Sequence, residues 1–114
     1  MLEVQWVKCV SDKWCSLELV NLSNVKTVGV YIIWHGGSPS RVVRIGQGDI
    51  AERLRCHRSD EEILAYSNQG LFVTWASLSH RHLDGVEKYL AQRWRPLVGE
   101  CFPDALPIVV NSPW

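Results

Sequence analysis

The sequence lacks the patterns that mark several common classes of protein. Its four cysteines include no CxxC pair and its four histidines complete no zinc spacing, which argues against a structural zinc site. No basic segment followed by an apolar one opens the chain, and no apolar run approaches membrane-spanning length. We therefore expect a cytoplasmic protein with no membrane partner, whose cysteines are reduced and pack as small hydrophobic side chains.

The sequence also carries no net charge. Twelve basic and twelve acidic residues cancel, so no global positive field favours nucleic acid. The distribution is less even, because one short segment holds five arginines, a residue suited to bidentate contacts with phosphate or carboxylate. A solvated charged face would give the same pattern. These arginines are Arg41, Arg44, Arg53, Arg55 and Arg58.

The centre of the sequence is a predicted β-hairpin. Residues 28–34 and 41–46 are rich in β-branched and aromatic side chains, and Gly and Pro in the loop between them supply a turn. Gly29, Gly46 and Gly48 weaken a strand or its exit, because glycine packs nothing and loses the most backbone entropy on folding. They indicate either the close approach of another group or a local bulge.

A helix is predicted directly after the hairpin. Asp49 is a good N-cap, and the helix runs to about His57. Arg53 and His57 lie one turn apart and project together from the side that faces the hairpin. The pair forms either a functional site or an arginine beside a hydrogen-bonded core histidine.

The second half of the chain supplies further elements. Ser59 and Glu62 form a capping box for a short helix to about residue 67, and residues 71–76 predict a third central strand. His80 and His82 fall in a predicted polar loop, where a solvated loop is favoured over a metal pair. A last helix covers about residues 83–94, and the tail is expected to pack back through Ile108 and Val109.

Glu87 is anomalous on the last predicted helix, because it points out of the middle of the apolar stripe. A buried carboxylate is costly unless it is paired or holds a cation. The alternative to a cation is an ion pair with one of the arginines. The chain of 114 residues is predicted to be one small α/β (α+β) domain, with residues 1–27 covering the hairpin.

Taken together, these features resemble the GIY-YIG nuclease domain over residues 28–113. Gly29-Val30-Tyr31 stands for the first motif and Arg44-Ile45-Gly46 for the second. The later elements follow in the family's order: Arg53 and His57 on one helix, Glu87 on a later helix and Asn111 downstream. The resemblance implies a three-stranded antiparallel sheet flanked by helices.

The resemblance also implies hydrolysis of DNA phosphodiester bonds with one divalent ion, Mg²⁺ or Mn²⁺, held by Glu87. Tyr31 would be the general base, which needs its phenolate stabilised by positive charge or its proton passed onward. Arg53 would neutralise charge on the phosphate, and His57 would hydrogen-bond the nucleophile or Tyr31. Asn111 would orient the metal-bound carboxylate or the phosphate.

One departure separates the sequence from the family, since Arg44 stands where the second motif has tyrosine. Arg44 would bind phosphate, lower the pKa of Tyr31, or pair with Glu87 in a domain that no longer cuts. Two other functions therefore stay open. One is a non-cleaving module that grips DNA phosphates through Arg41, Arg44, Arg53 and Arg55, and the other is an interaction protein. A nuclease of this size is expected to act on DNA, branched or damaged, with specificity low or supplied by a homodimer or a partner protein.

Overall fold

The computed structural model, which describes residues 1–99 and 102–114, is a four-stranded antiparallel sheet flanked by helices. The α+β class predicted from the order of elements is confirmed. The spatial order of the strands is β1-β4-β2-β3. The strands are β1 (Cys15–Ser16), β2 (Val28–His35), β3 (Arg41–Asp49) and β4 (Leu71–Ser77), and the helices are α1 (Ile50–His57), α2 (Glu61–Leu64) and α3 (His80–Trp94), with 3₁₀ turns at Val10–Asp12 and Ser67–Gln69.

The prediction of three strands is wrong by one. The additional strand is β1, in which Cys15 pairs with Val73 and Ser16 pairs with Phe72 of β4. Two residues are too short to display an alternating pattern, so the sequence carries no signal for them. β1 forms because β4 would otherwise leave an unpaired backbone edge.

The helix caps decide where the first two helices begin. Asp49 caps α1 as predicted, and its side chain accepts a hydrogen bond of 3.1 Å from the backbone N–H of Glu52. The cap predicted for the second helix is wrong by one residue, because Asp60 rather than Ser59 accepts from Glu62, at 3.0 Å. The helix is correspondingly shorter than predicted and ends at Leu64.

α3 begins earlier than the apolar pattern predicts. Ser79 is its N-cap residue, so His80 and His82 lie in the first helical turn and not in a polar loop. The helix spans fifteen residues. Among the described residues, no helix is long and apolar enough to cross a membrane.

The sheet separates two hydrophobic layers. On one face, Tyr31 and Ile33 of β2 pack with Ile50 and Leu54 of α1. On the other face, neighbouring β2 residues pack with α3 through a separate cluster that includes Val30, Ile32, Leu83, Val86 and Leu90. Because successive side chains of a strand point to opposite faces, α1 and α3 are kept apart by the sheet. A site that uses both helices must therefore lie at a sheet edge.

β3 is the edge strand that lies beside both helices. The chain after α3 returns along its first part, where Leu97 donates to the carbonyl of Val42 at 3.1 Å and Val98 donates to that of Val43 at 2.8 Å. In the described part of the chain, no backbone hydrogen bond covers the outer edge of β3 beyond Val43. The open part begins at Arg44.

The tail holds the N-terminal segment in place. Leu2 forms a parallel bridge with Val110, and the side chain of Asn111 accepts from the N–H of Val4 at 2.7 Å and donates to its carbonyl at 2.9 Å. Ile108 packs in the α3 layer as predicted. The prediction for Val109 is wrong, because this residue is 45% exposed while Val110 is buried, as alternation along an extended chain requires.

The prediction of reduced cysteines is wrong for one pair. Cys9 and Cys15 form a disulfide with their Cα atoms 5.2 Å apart. The intervening residues include a 3₁₀ turn that brings the two together, which the spacing did not indicate. Cys56 is free and exposed, so it does not pack as a small hydrophobic side chain. Cys101 lies outside the described residues.

Candidate active site

Tyr31 lies in the middle of β2 and is fully buried on the α1 face. Its hydroxyl is 2.5 Å from Nε2 of His57, and the two ring centroids are 5.3 Å apart. Arg53 and His57 therefore project toward the hairpin as predicted, and the histidine is hydrogen-bonded to the one phenol in the predicted motif. A hydrogen-bonded core histidine would make the same contact. The two interpretations, a functional site and a structural histidine, are therefore distinguished by whether Tyr31 takes part in a reaction.

Gly46 makes room for this hydroxyl. Gly46 is the register partner of Tyr31 on β3, and a Cβ at that position would overlap the phenol oxygen and ring. Gly29 is similarly constrained, because a Cβ there would overlap the backbone carbonyl of Ala76. The sheet irregularity lies elsewhere, between Ile33 and Trp34. Close approach therefore accounts for the two motif glycines, and a bulge does not.

Gly46→Ala should consequently destabilise the protein by roughly 1–3 kcal/mol, since the new methyl group must displace a packed aromatic ring. Chemical unfolding of the variant measures this loss. Gly37→Ala is the matched control, because the atom nearest to its new methyl group is the end of the exposed, flexible Gln69 side chain. Equal stability of Gly46→Ala and the parent protein would contradict this packing.

His57 is neutral at pH 7 in this environment. Burial lowers its pKa to about 4, and the charges of Arg44 and Arg53 act in the same direction. The carboxylate of Asp60 lies 3.9 Å from Nδ1 and favours the ring proton on that nitrogen. We infer the tautomer in which Nε2 is free to accept the hydrogen bond from Tyr31.

Two arginines face the phenol. Arg44 shares the α1 face of β3 with Gly46, and Arg53 lies on α1. Burial raises the pKa of Tyr31 above its ordinary value, while the neighbouring charges of Arg53 and Arg44 oppose this rise. Among the described residues, the Nε atoms of both arginines are buried without a hydrogen-bond partner. Unsatisfied buried donors are rare, and two cationic ones whose charges act on the same phenol suit an anionic ligand.

Glu87 reaches the same region from α3. It is 7% exposed, and burial raises the pKa of its carboxyl to about 7. Arg44, Gln47 and Arg53 lower this pKa and Asp84 raises it, so the carboxyl feels both of the arginines that face Tyr31. Within the described ranges no ion pair of 4 Å or less joins Glu87 to an arginine. The alternative of a simple ion pair is therefore wrong for those residues.

Two polar residues near Glu87 were missed by the sequence reasoning. Gln47 of β3 donates a 2.6 Å hydrogen bond to the carboxylate of Asp84, which is one helical turn before Glu87. Asp84 could have been identified from its spacing, because residues three positions apart, such as Asp84 and Glu87, are neighbours on one side of a helix. Gln47 could have been identified because it is a polar residue between two glycines in an apolar strand. A third missed residue, Asp60, lies three positions after His57.

The other predicted residues lie elsewhere. The side-chain amide of Asn111 is hydrogen-bonded to the backbone of Val4, so this residue holds the N-terminal segment in place. Arg58 donates from Nε to the carbonyl of Leu17 at 2.7 Å and also contacts the carbonyl of Val20. Arg41 lies at the opposite end of β3 from Gly46, and Arg55 lines a different hollow with Lys26 and Thr27. Two of the five clustered arginines, Arg44 and Arg53, lie in the candidate site.

The donor set limits what kind of metal the site could hold. In residues 1–99 and 102–114, no group of three or more His, Cys, Asp or Glu side chains could hold a metal ion. A buried carboxylate without an ion-pair partner instead fits a cation that keeps several water ligands, as Mg²⁺ does. Glu87 is the side chain that could hold such an ion.

The site thus occupies the open edge of β3, with Tyr31, His57 and Arg53 on one side and Glu87 on the other. No family model matches the chain, and no curated protein or solved structure matches it. The geometry combines a buried phenol, a neutral histidine, two arginines with free donors and a carboxyl that titrates near neutrality.

Proposed function

We propose that this chain is a divalent-metal-dependent endonuclease of the GIY-YIG type, which hydrolyses phosphodiester bonds in DNA. The observation that carries the proposal is the buried hydrogen bond from Tyr31 to His57 beneath Gly46. The free donors of Arg44 and Arg53 suit a phosphate. The buried carboxyl of Glu87 suits a cation at the same edge of the sheet.

Tyr31 is the general base in this proposal. Its raised pKa keeps it protonated at neutral pH, so it accepts a proton from water only as it passes its own to Nε2 of His57. His57 is a weak base in the free protein, because two arginines repel its charged form. A phosphate between these arginines offsets their charge, which raises the pKa of His57 once substrate is bound.

The remaining residues act on the phosphate. The water oxygen forms a bond to phosphorus as the bond from phosphorus to the leaving oxygen breaks, and the leaving oxygen takes a proton from solvent. Arg44 and Arg53 neutralise charge on the non-bridging oxygens. Held by Glu87, a divalent ion would polarise the phosphate and stabilise the leaving oxygen. Gln47, through Asp84, positions the turn of α3 that carries Glu87.

A non-cleaving DNA-binding module is the second candidate, and the placement of Arg44 favours it. Arg44 acts on Glu87 and on Tyr31 at once, so its charge can stand in for a cation beside the carboxyl. Such a module binds DNA without a divalent ion and loses affinity steeply as salt concentration rises.

Cleavage assays separate the two candidates. Supercoiled plasmid and a flapped duplex are incubated with Mg²⁺, with Mn²⁺ and with a chelator. The endonuclease nicks DNA only with a divalent ion and loses this activity in Glu87→Gln, while Glu18→Gln, an exposed carboxylate, is the matched control. Absence of cleavage on both substrates, together with salt-sensitive binding in chelator, would overturn the proposal in favour of the binding module.

Arg44→Gln should move the pH dependence of cleavage. Loss of its charge raises the pKa of both His57 and Glu87, so the rising limb of kcat/KM shifts to higher pH by roughly half a unit to one unit. Lys13→Gln removes the same charge from an exposed position and should leave the profile in place. If Arg44→Gln merely lowers the rate at every pH, Arg44 does not set these pKa values.

A further inference from the structure

A tryptophan-lined hollow of about 400 Å³ opens beside the first residues of β3. Its walls are Trp34, Trp94 and Trp114, with Arg41 and Ser40 at the rim. Trp114 meets Trp34 edge-on with ring centroids 5.0 Å apart, and it meets Trp94 in the same way at 4.9 Å. We refer to this feature as the tryptophan hollow.

The tryptophan hollow is not a closed part of the core. Trp114 is 47% exposed although it contacts three other indoles, those of Trp14, Trp34 and Trp94, and Arg41 is exposed beside it. Arg93 lies over the ring of Trp94, 4.3 Å from its centroid, so a second arginine contacts an indole of the hollow. An exposed indole next to arginines suits a ligand that is both planar and negatively charged.

Two of the four elements that carry the candidate active site, α3 and β3, also carry residues of the tryptophan hollow. On α3, Trp94 lies seven residues after Glu87, which is two turns along the same face of the helix and about 10 Å. On β3, Arg41 lies three residues before Arg44, again about 10 Å. α3 and β3 pack together, each carries residues of both the active site and the hollow, and the returning chain at Leu97 and Val98 lies along β3 between Arg44 and Arg41.

We propose that the tryptophan hollow binds an unpaired nucleotide of the DNA strand whose phosphate occupies Arg44 and Arg53; this inference rests on the proposed endonuclease function. The base stacks on the indoles, and Arg41 contacts the adjacent phosphate. A base inside a duplex is already stacked on its neighbours and cannot enter. The substrate class is therefore DNA with a single-stranded segment next to the cleaved bond, such as a flap or a branch.

Binding of a fluorescently labelled oligothymidine, followed by anisotropy in chelator, tests this inference without any need for cleavage. Trp114→Ala should weaken the affinity by roughly 5- to 100-fold, the range for losing one aromatic stacking partner. Trp114→Phe keeps a π-face and should recover most of the affinity. Leu106→Ala, at an exposed residue of the same tail, is the control. Thermal unfolding shows whether each variant is folded.

The outcomes separate this inference from the endonuclease proposal. Trp114→Ala should also slow cleavage of a flapped duplex far more than nicking of plasmid. Unchanged oligothymidine affinity in Trp114→Ala, no binding of oligothymidine by the parent protein, or equal losses on single-stranded and duplex DNA would overturn the inference. Tryptophan-dependent binding in a protein that never cleaves would overturn the endonuclease proposal alone.

Discussion

Glu87→Gln is expected to abolish DNA cleavage and, in metal-free buffer at pH 8, to make the protein more stable. The carboxyl is buried, so its ionisation opposes folding. Its pKa is raised from 4.5 to about 7 in the folded state, and the parent protein therefore loses stability as pH rises from 4.5 to 7. Glutamine has no charge to bury. The variant should gain roughly 1–3 kcal/mol at pH 8 and about a quarter of that at pH 5, where the folded carboxyl is still protonated.

Chemical unfolding of both proteins at the two pH values measures this difference. The histidine contribution does not disturb the comparison, because the lowered pKa of His57 costs both proteins stability only as pH falls from 6.5 toward 4. Glu18→Gln should change neither cleavage nor the pH dependence of stability. A loss of stability in Glu87→Gln at pH 8 would indicate that Glu87 serves a structural ion pair. Retained cleavage would remove Glu87 from the reaction.

Tyr31→Phe is expected to lower the rate of cleavage by roughly 10²- to 10⁴-fold, the usual range for removing a general base. The ring remains, so the packing against Gly46 and α1 is preserved. Losing the hydrogen bond should reduce the free energy of unfolding by roughly 1–3 kcal/mol, because the buried Nε2 of His57 is left without a donor. Single-turnover cleavage with Mg²⁺ and thermal unfolding provide the two measurements.

The matched control is Tyr89→Phe, which removes a hydroxyl from a partly buried tyrosine of α3. Its cleavage rate should equal that of the parent protein. DNA binding by Tyr31→Phe should also stay normal, because Arg44 and Arg53 are unchanged. A Tyr31→Phe variant that cleaves at the parent rate would show that another group activates the water, and the hydrogen bond to His57 would then be structural.

Much of the site on the α1 side could be predicted from sequence. β-Branched residues indicate the hairpin strands, and Asp49 indicates a helix cap. Arg53 and His57 are spaced by one helical turn. Each of these signals lies within a few residues, where side-chain period and cap chemistry dominate. Gly46 was recognisable as anomalous for the same reason, although only its register partner shows that the group it admits is Tyr31.

The predictions that failed concern contacts between distant parts of the chain. β1 is recognisable only where it meets β4, and the Cys9–Cys15 bond depends on a local turn that has no spacing signature. Val110 replaces Val109 in the core because the N-terminal segment determines which side of the tail is covered. The amide of Asn111 is engaged by Val4, a residue from the other end of the chain. None of these contacts produces a repeating pattern of residues within a single segment of the sequence.

The sequence by itself determined the strands, helices and caps, and also which unusual residues stand within them: a phenol, a histidine, arginines and a misplaced carboxylate. Only the tertiary structure decided that Glu87, from the opposite face of the sheet, lies where the charges of Arg44 and Arg53 act on its carboxyl, at the open edge of β3. It also decided that three tryptophans spread from residue 34 to residue 114 line one hollow. The physical reason is that local hydrogen bonding and side-chain period are encoded within a few residues, whereas the order of strands and the layer on which each helix packs are set by the burial of the whole chain.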